Sequence, residues 1–517
     1  MPAGNRESVM PANKKTRPTR PRKLGDVPLW DIETDVAVIG FGGAGACAAI
    51  AAHDQGADTM IFELASASGG STALSSAEVY LGGNGGTRVQ RACGFDDSTE
   101  NMAQFLMACQ GEQADEAKIR AYAEGALDHF NWLVDCGVPF KDSWLNERAI
   151  YADTDDCLLF TDSQKAWPFS RDTQPVPRGH NLYVKGDNGG PLFMRVMTEN
   201  VERRGIRVVY EARALTLIED EHNRIQGIVV RIDQREHHIR ARRGVVLCAG
   251  GFNMNAPMVK KYAPFLTRAN LPIGNPGDTG SGILMGLGVG AAAINMHEGF
   301  VTLPFYPPGT LTFGILVNDK GQRFINEDCY HGRVGYACLN QPGERIYMIL
   351  TVEDYGDYEK RGLMCAPVAG TGETLEELEQ ELALPDGALA HTVAYYSRFA
   401  EQGQDPLFHK AAAWLKPLEL PLVALDCTPG RGALYPFFTL GGLDTLPSGE
   451  VLTPEGEVIA GLYAAGRTAC GVPRRADGYG SGMSVGDATF SGRQAGTAAA
   501  RRTQSIAAQT AELEDGQ

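Results

Sequence analysis

The chain has 517 residues, 43% of them hydrophobic and 21% charged, which suits a folded protein with a sizeable core and two or three domains. A formal net charge of −16 argues against nucleic acid or an anionic membrane surface as the main partner. Eleven cysteines without CxxC or metal-ligand spacing, and no apolar run of eighteen, lead us to expect reduced thiols in a cytoplasmic protein, no metal and no transmembrane segment.

Residues 1–29 are basic and proline-rich, lack the apolar core of a signal peptide, and are expected to form a disordered arm. The stretch "TDVAVIGFGGAGACAAIAAHDQGADTMIFE" then reads as a βαβ unit. Val36 to Ile39 form a continuous apolar run, as in a buried parallel strand. Gly40, Gly42 and Gly45 make G-x-G-x-x-G: a tight turn, close approach of a pyrophosphate, and close packing of helix on strand. The helix N-terminus, with Gly43 and Ala44 in its first turn, turns N–H groups and positive potential toward phosphates. Glu63, 23 residues after Gly40, suits a ribose hydroxyl with no 2′-phosphate. A second glycine and hydroxyl turn, "SGGSTALS", carries Gly70, Ser71 and Thr72 and suits a long pyrophosphate.

A helix is expected over 112–135, with Asp115 as its cap. Residues 142–190 are polar and rich in Pro, Gly and Asp, and are expected to loop across the surface. "RRGIRVVYEARALTLIED", which contains Ala214, "IQGIVVRI" and "GVVLCAGGF", which contains Ala249, read as strands, the last returning to the first sheet. Residues 291–437 differ in texture and include a charged helix, "ETLEELEQELAL". "GLYAAGR" is a further buried strand, ending at Gly466 and Arg467, and a last helix follows from about Ser484 to Ala500. Ala214, Ala249, Gly466 and Arg467 join the candidate cofactor contacts, and so many separated segments favour permanently held FAD over exchangeable NAD. The expected class is α/β, α+β overall. It comprises an arm (1–29), a Rossmann-like FAD-binding domain in two parts (30–290 and 438–503), an inserted domain (291–437) and a flexible tail (504–517).

"GFGGAG", "GGSTA", "CAGGF", "GILVNDKGQRFINED", "FTLGGL", "GLYAAGR" and "GSGMSVGDATFSGRQAG" follow one another between Trp30 and Gly496. In this order they resemble flavoproteins of the fumarate reductase and 3-ketosteroid dehydrogenase superfamily. Within it, "RACGFDDSTENM", "NWLVDCGVPFK", "PRGH" and "DGYGSGMSVGD" most resemble the 3-ketosteroid Δ4-(5α)-dehydrogenases. The resemblance implies that the inserted α+β domain is catalytic, with a hydrophobic small molecule, a 3-ketosteroid, between it and the FAD. It implies three catalytic residues: Tyr330 in "NEDCYHGRVG", and Tyr479 and Ser481 in "GYGSG". Ser481 would take the C4 proton, Tyr330 relay it toward solvent, Tyr479 hydrogen-bond the C3 ketone, and hydride pass from C5 to flavin N5. The electron acceptor or donor stays open.

The chemistry needs an enolate-stabilising donor, and one such donor is worth roughly 3 kcal/mol. Ser481 is a poor base alone, and an unperturbed tyrosine, with a pKa of about 10, helps only partly. Arg333 and His331 are candidate aids, although His331 reads more simply as an exposed histidine. Ser484 and Val485 stand where a helix begins, so their N–H groups suit negative charge at flavin N1/O2. "FVTLPFYPPGTLTFG" at 300–314 suits an apolar pocket wall or a plain core strand. The alternatives are the reverse reduction of a Δ4-3-ketosteroid or related enone, Δ1-dehydrogenation, fumarate-type reduction, and a non-enzymatic flavin module. Against the Δ1 enzymes, "GYGSGMS" lacks a proline-rich turn. Against the fumarate reductases, Phe438 stands where they carry histidine.

Overall fold

The computed structural model describes residues 16–150 and 152–502. Its central sheet is parallel where both faces are covered. Strand Ile32–Ile39 lies between Thr59–Phe62 and the long strand Arg235–Leu247, which runs on to Val458–Ala464; Arg207–Val209 adds beyond Thr59–Phe62. Val36, Ala37, Val38 and Ile39 are buried on both faces, as their unbroken apolar run requires. The register pairs Ile39 with Phe62 and with Leu247, and Leu247 with Ala464. The C-terminal ends of these four strands therefore share one edge, and Gly40, Glu63, Ala249 and Gly466 all lie just past it, where ligands of open α/β sheets bind. The other half of Arg235–Leu247 makes an antiparallel ribbon with Ile225–Ile232, which pairs in turn with Arg213–Glu219.

Helix Gly43–Asp54 is crossed closely by the last helix, Met483–Arg501. Methyl groups on Gly492 and Gly496 would collide with the carbonyls of Ala44 and Ala48, so the small residues of both helices set the closeness of the crossing. Helix Glu116–Asp135 begins at Asp115, whose carboxylate accepts from the Lys118 N–H.

Two expectations are corrected. Residues 16–29 are not a free arm. Arg22–Lys23 pairs in parallel with Ile218–Glu219, Thr19 N–H donates to the Leu284 carbonyl at 2.8 Å, and Lys23 meets the Glu219 carboxylate at 2.6 Å. An open sheet edge and carboxylates beside it order this basic stretch. Residues 1–15 and the tail from 503 on lie outside the described residues.

Nor do residues 142–190 loop over the surface. Leu158–Leu159 and Gly179–His180 form a small antiparallel sheet with Val79–Tyr80, and Arg178 is fully buried. Its guanidinium grips Asp97 at 2.7 Å through both Nε and Nη2. The polar groups of this segment pair with one another: Gln164 donates to the Tyr80 hydroxyl and to the Val176 carbonyl, and Tyr80 donates to Asp162. Polar composition signalled a buried network here rather than solvent.

Within 291–437, Ile315–Asn318, Ile346–Thr351, Leu422–Asp426 and Val368–Gly372 form an antiparallel sheet in that order. Helices Leu375–Leu382 and Ala388–Ala400 contribute Leu378, Leu382, Leu389 and Val393 to the core on one of its faces. Strands Gly299–Val301 and Pro436–Thr439 bring Phe300 opposite Phe438. Among the described residues no helix is long and apolar enough to cross a membrane.

Candidate active site

The cofactor cradle forms where the strand ends meet. Gly40 has φ +104° and leaves no room for a side chain against the Cys248 carbonyl, which brings Ala249 alongside. A methyl at Gly45 would strike the carbonyl of Gly40 itself, so this turn tolerates only glycine. The second glycine turn faces the first. A Cβ on Gly42 would rest 3.7 Å from the Cα of Gly70, and Gly43 N–H donates to Thr72 Oγ1 at 3.1 Å. A Cβ on Gly466 would stand 3.0 Å from that of Ala44.

Glu63 is fixed by backbone: its Oε2 accepts from Phe41 N–H at 2.6 Å and its Oε1 from Ala65 N–H at 2.8 Å. A carboxylate has lone pairs beyond these two, so it can still accept from a ribose. Ala212 N–H donates to the Glu63 carbonyl at 2.8 Å, which ties the start of the Ala214 strand to the same corner.

Arg467 and Ser71 belong to one cluster. Arg467 donates to Ser71 Oγ at 2.9 Å, to Asn253 Oδ1 at 2.9 Å, and to Asp278, which also accepts from Ser71 Oγ at 2.7 Å. Asn253 and Asp278 gave no signal in the sequence, because their partners are far away in the chain.

Both helix starts that face the cradle, at Gly42 and Gly482, lack a side-chain cap. Ser484 Oγ is buried without a hydrogen-bond partner, and Val485 follows half-buried. Beyond Gly43 N–H, which Thr72 takes, and Ser484 N–H, which Tyr479 takes, the N–H groups of these helix starts and the orphaned hydroxyl are the donors that a flavin's phosphates and its N1/O2 edge would take. FAD therefore fits the residues present.

The structure brings Tyr330, Tyr479 and Ser481 together from two distant segments. Tyr330 caps helix His331–Leu339, and its N–H donates to Ser163 Oγ at 3.0 Å. Arg148 grips the turn before it through the carbonyls of Asp328 at 2.9 Å and Cys329 at 2.7 Å. The Ser481 hydroxyl lies close enough to Tyr330 to ease, against burial, the loss of its proton. The Tyr330 and Tyr479 rings lie 6.4 Å apart. Phe300 packs against Tyr479 at 4.5 Å and Phe438 at 4.8 Å, so aromatic rings wall the group. Tyr479 Oη accepts from Ser484 N–H at 3.4 Å, a link between the Tyr479–Ser481 loop and the helix start.

Burial holds both phenols neutral: it pushes Tyr479 up to about 12, and Tyr330 well above its usual value. Both are donors at neutral pH. His331 corrects another expectation. It is buried, donor or acceptor to Thr302 through Nδ1, and burial pushes its pKa down to about 3. A neutral imidazole at that depth is not an exposed relay. Arg333 lies over Phe169 and pairs with Asp477 at 3.5 Å.

The FAD binding domain family matches residues 35–483. This chain belongs to that family. The solved 3-ketosteroid-Δ4-(5α)-dehydrogenase of Rhodococcus jostii RHA1, in complex with 4-androstene-3,17-dione, is 42% identical. It superposes with a TM-score of 0.88 over 93% of this chain and 100% of that one. The 3-oxo-5-alpha-steroid 4-dehydrogenase of Comamonas testosteroni is 26% identical over 514 residues, covering 85% of this chain and 94% of that protein. The NADH:acrylate oxidoreductase of Vibrio harveyi is 28% identical over 87% of this chain, which spans 49% of that protein's length. The chain is thus an FAD-dependent oxidoreductase of the fumarate reductase and 3-ketosteroid dehydrogenase superfamily.

Proposed function

We propose that this flavoprotein desaturates a 3-ketosteroid, converting a 5α-3-ketosteroid to the Δ4-3-ketosteroid. One observation carries the reading: Tyr330 and Ser481, from distant segments, stand together beside Tyr479 within walls made by Phe300 and Phe438. The likeness to a structure solved with 4-androstene-3,17-dione supports it. Bound FAD supplies the acceptor for the C5 hydride. Gly40, Gly42, Gly43, Ala44, Gly45, Glu63, Gly70, Ser71, Thr72, Ala214, Ala249, Gly466, Arg467, Ser484 and Val485 would hold it. In the same reading residues 291–437 form the substrate-side domain.

Tyr479, neutral up to about pH 12, keeps its proton and donates it to the C3 ketone oxygen as negative charge grows there. Ser481 Oγ takes the C4 proton as its own passes to the Tyr330 hydroxyl, which releases one toward solvent. The surroundings suit an apolar substrate better than a dicarboxylate. The guanidinium of Arg467, 5.5 Å from the Phe438 ring, is already engaged by Asp278, Ser71 and Asn253.

Anaerobic mixing of the FAD-loaded protein with a saturated 5α-3-ketosteroid tests the reading. The flavin absorbance should bleach and an enone should form. Failure to bleach, together with reoxidation of the reduced protein by fumarate, would overturn it.

A further inference from the structure

The neutral Ser481 hydroxyl needs help to act as a base, and neither His331 nor Arg333 gives it. Beneath the late glycine loop lies an acidic group that sequence reading passed over. Glu78 is 2% exposed, and Oε1 of its carboxyl is buried with no hydrogen-bond partner among the described residues. It is wedged between two glycines: a Cβ on Gly482 would stand 2.7 Å from Oε1, and one on Gly179 would stand 3.0 Å away. Tyr80 N–H, two residues on, donates to the Gly482 carbonyl at 3.1 Å and fixes Glu78 against the loop.

Thr161 lies between this carboxyl and Ser481. Its Oγ1 donates to the Ser481 carbonyl at 3.0 Å and its carbonyl accepts from Ser481 N–H at 2.8 Å, while a Cβ on Gly179 would lie 2.7 Å from Thr161 Oγ1 and 3.0 Å from Glu78 Oε1, so the two side chains flank the same point. The clamp on the Ser481 backbone thus lies alongside the Glu78 carboxyl.

The groups around Glu78 leave a charge there uncompensated. Asp162 and Asp187 both repel its negative charge. His180, on the neighbouring strand, is held neutral by burial, at about 4. Asp162 is itself occupied by Tyr80 and Gln164. Burial, with the two aspartates, pushes Glu78 up to about 8, so it changes charge near physiological pH. That charge reaches the Tyr330 and Tyr479 phenols and makes both hold their protons more tightly.

We propose, on the desaturase reading, that Glu78 is a positioning residue whose ionised carboxylate makes the Tyr330–Ser481 pair a stronger proton acceptor. No proton moves to Glu78. A negative charge buried near the two hydroxyls raises their affinity for the C4 proton, since little solvent lies between to screen it. The protonated form offers no such field.

FAD-loaded Glu78→Gln and Glu78→Asp variants test this through the pH dependence of anaerobic flavin bleaching by a 5α-3-ketosteroid. The unsubstituted protein should speed up through a titration near pH 8. E78Q should lose that rise and run at least tenfold slower at pH 9 with unchanged flavin content. E78D should keep a rise. A Glu78→Gln variant that retains the rise overturns the proposal. Ultraviolet titration of tyrosinate after a rapid pH jump needs no substrate. Tyrosine ionisation should shift to lower pH in E78Q, and an unshifted curve overturns the proposal even where no steroid bleaches the flavin. Absence of bleaching in the unsubstituted protein counts against the desaturase reading alone.

Discussion

Replacing Tyr479 with phenylalanine deletes one oxygen from the aromatic wall and little else. The ring is 6% exposed and packs against Phe300 at 4.5 Å and Phe438 at 5.7 Å, contacts that a phenylalanine ring keeps. The lost hydroxyl accepted only a long 3.4 Å bond from Ser484 N–H, in the first turn of a helix, so stability should fall by less than about 1 kcal/mol. Its part in the proposed reaction is larger. A donor aimed at a forming oxyanion is worth roughly 3–4 kcal/mol, so steroid-dependent bleaching should slow by about 10²–10³-fold. Stopped-flow absorbance on anaerobic, FAD-loaded Y479F, with flavin content and thermal midpoint as controls, measures both effects. Bleaching at an unaltered rate in a protein that holds its flavin would refute the donor role.

Three further outcomes follow from the packing. Asp97→Ala strips the partner from a guanidinium that is fully buried, and should cost about 3–5 kcal/mol in urea unfolding; a loss below about 1 kcal/mol would contradict the buried pair. Gly45→Ala places a methyl against the Gly40 carbonyl and should yield protein with little bound FAD, read as flavin absorbance per chain; full occupancy would contradict the cradle. His129, stacked on Trp132, is pushed by burial to about 3, well below the ~6.5 of an unfolded chain. The unfolded chain therefore binds the extra proton between these values, and the stability held above pH ~6.5 is lost as pH falls toward 3. The urea midpoint should drop from pH 6.5 to 4, and drop less in His129→Gln; equal drops would contradict a buried neutral His129.

Local signals carried the cofactor half of the molecule. The run Val36–Ile39, its glycine turn and the acid at Glu63 are neighbours in sequence, and the register of the parallel strands assembles their turns on one edge. The resemblance located Tyr330, Tyr479 and Ser481, but not what holds them. Ser163 and Arg148, which fix the Tyr330 turn, and Thr161, which clamps Ser481, come from a segment whose polarity resembled a surface loop. Its side chains are satisfied by residues far along the chain: Arg178 by Asp97, and Thr161 by Ser481. "RACGFDDSTENM" and "PRGH" hold the two halves of that first ion pair, a link that spacing could not reveal. Residues 16–29 misled for a related reason, since a basic, proline-containing stretch is ordered by a sheet edge that is absent from its own neighbourhood.

The proposed reaction turns on which bond is desaturated. Anaerobic single turnover with a 5α-3-ketosteroid deuterated at C5, with the product's double bond located by mass spectrometry and nuclear magnetic resonance, tests it most directly. Bleaching should be slower than with the unlabelled steroid, and the product should be a Δ4-3-ketosteroid that has lost the label. Bleaching indifferent to the label, or a double bond between C1 and C2, would contradict it.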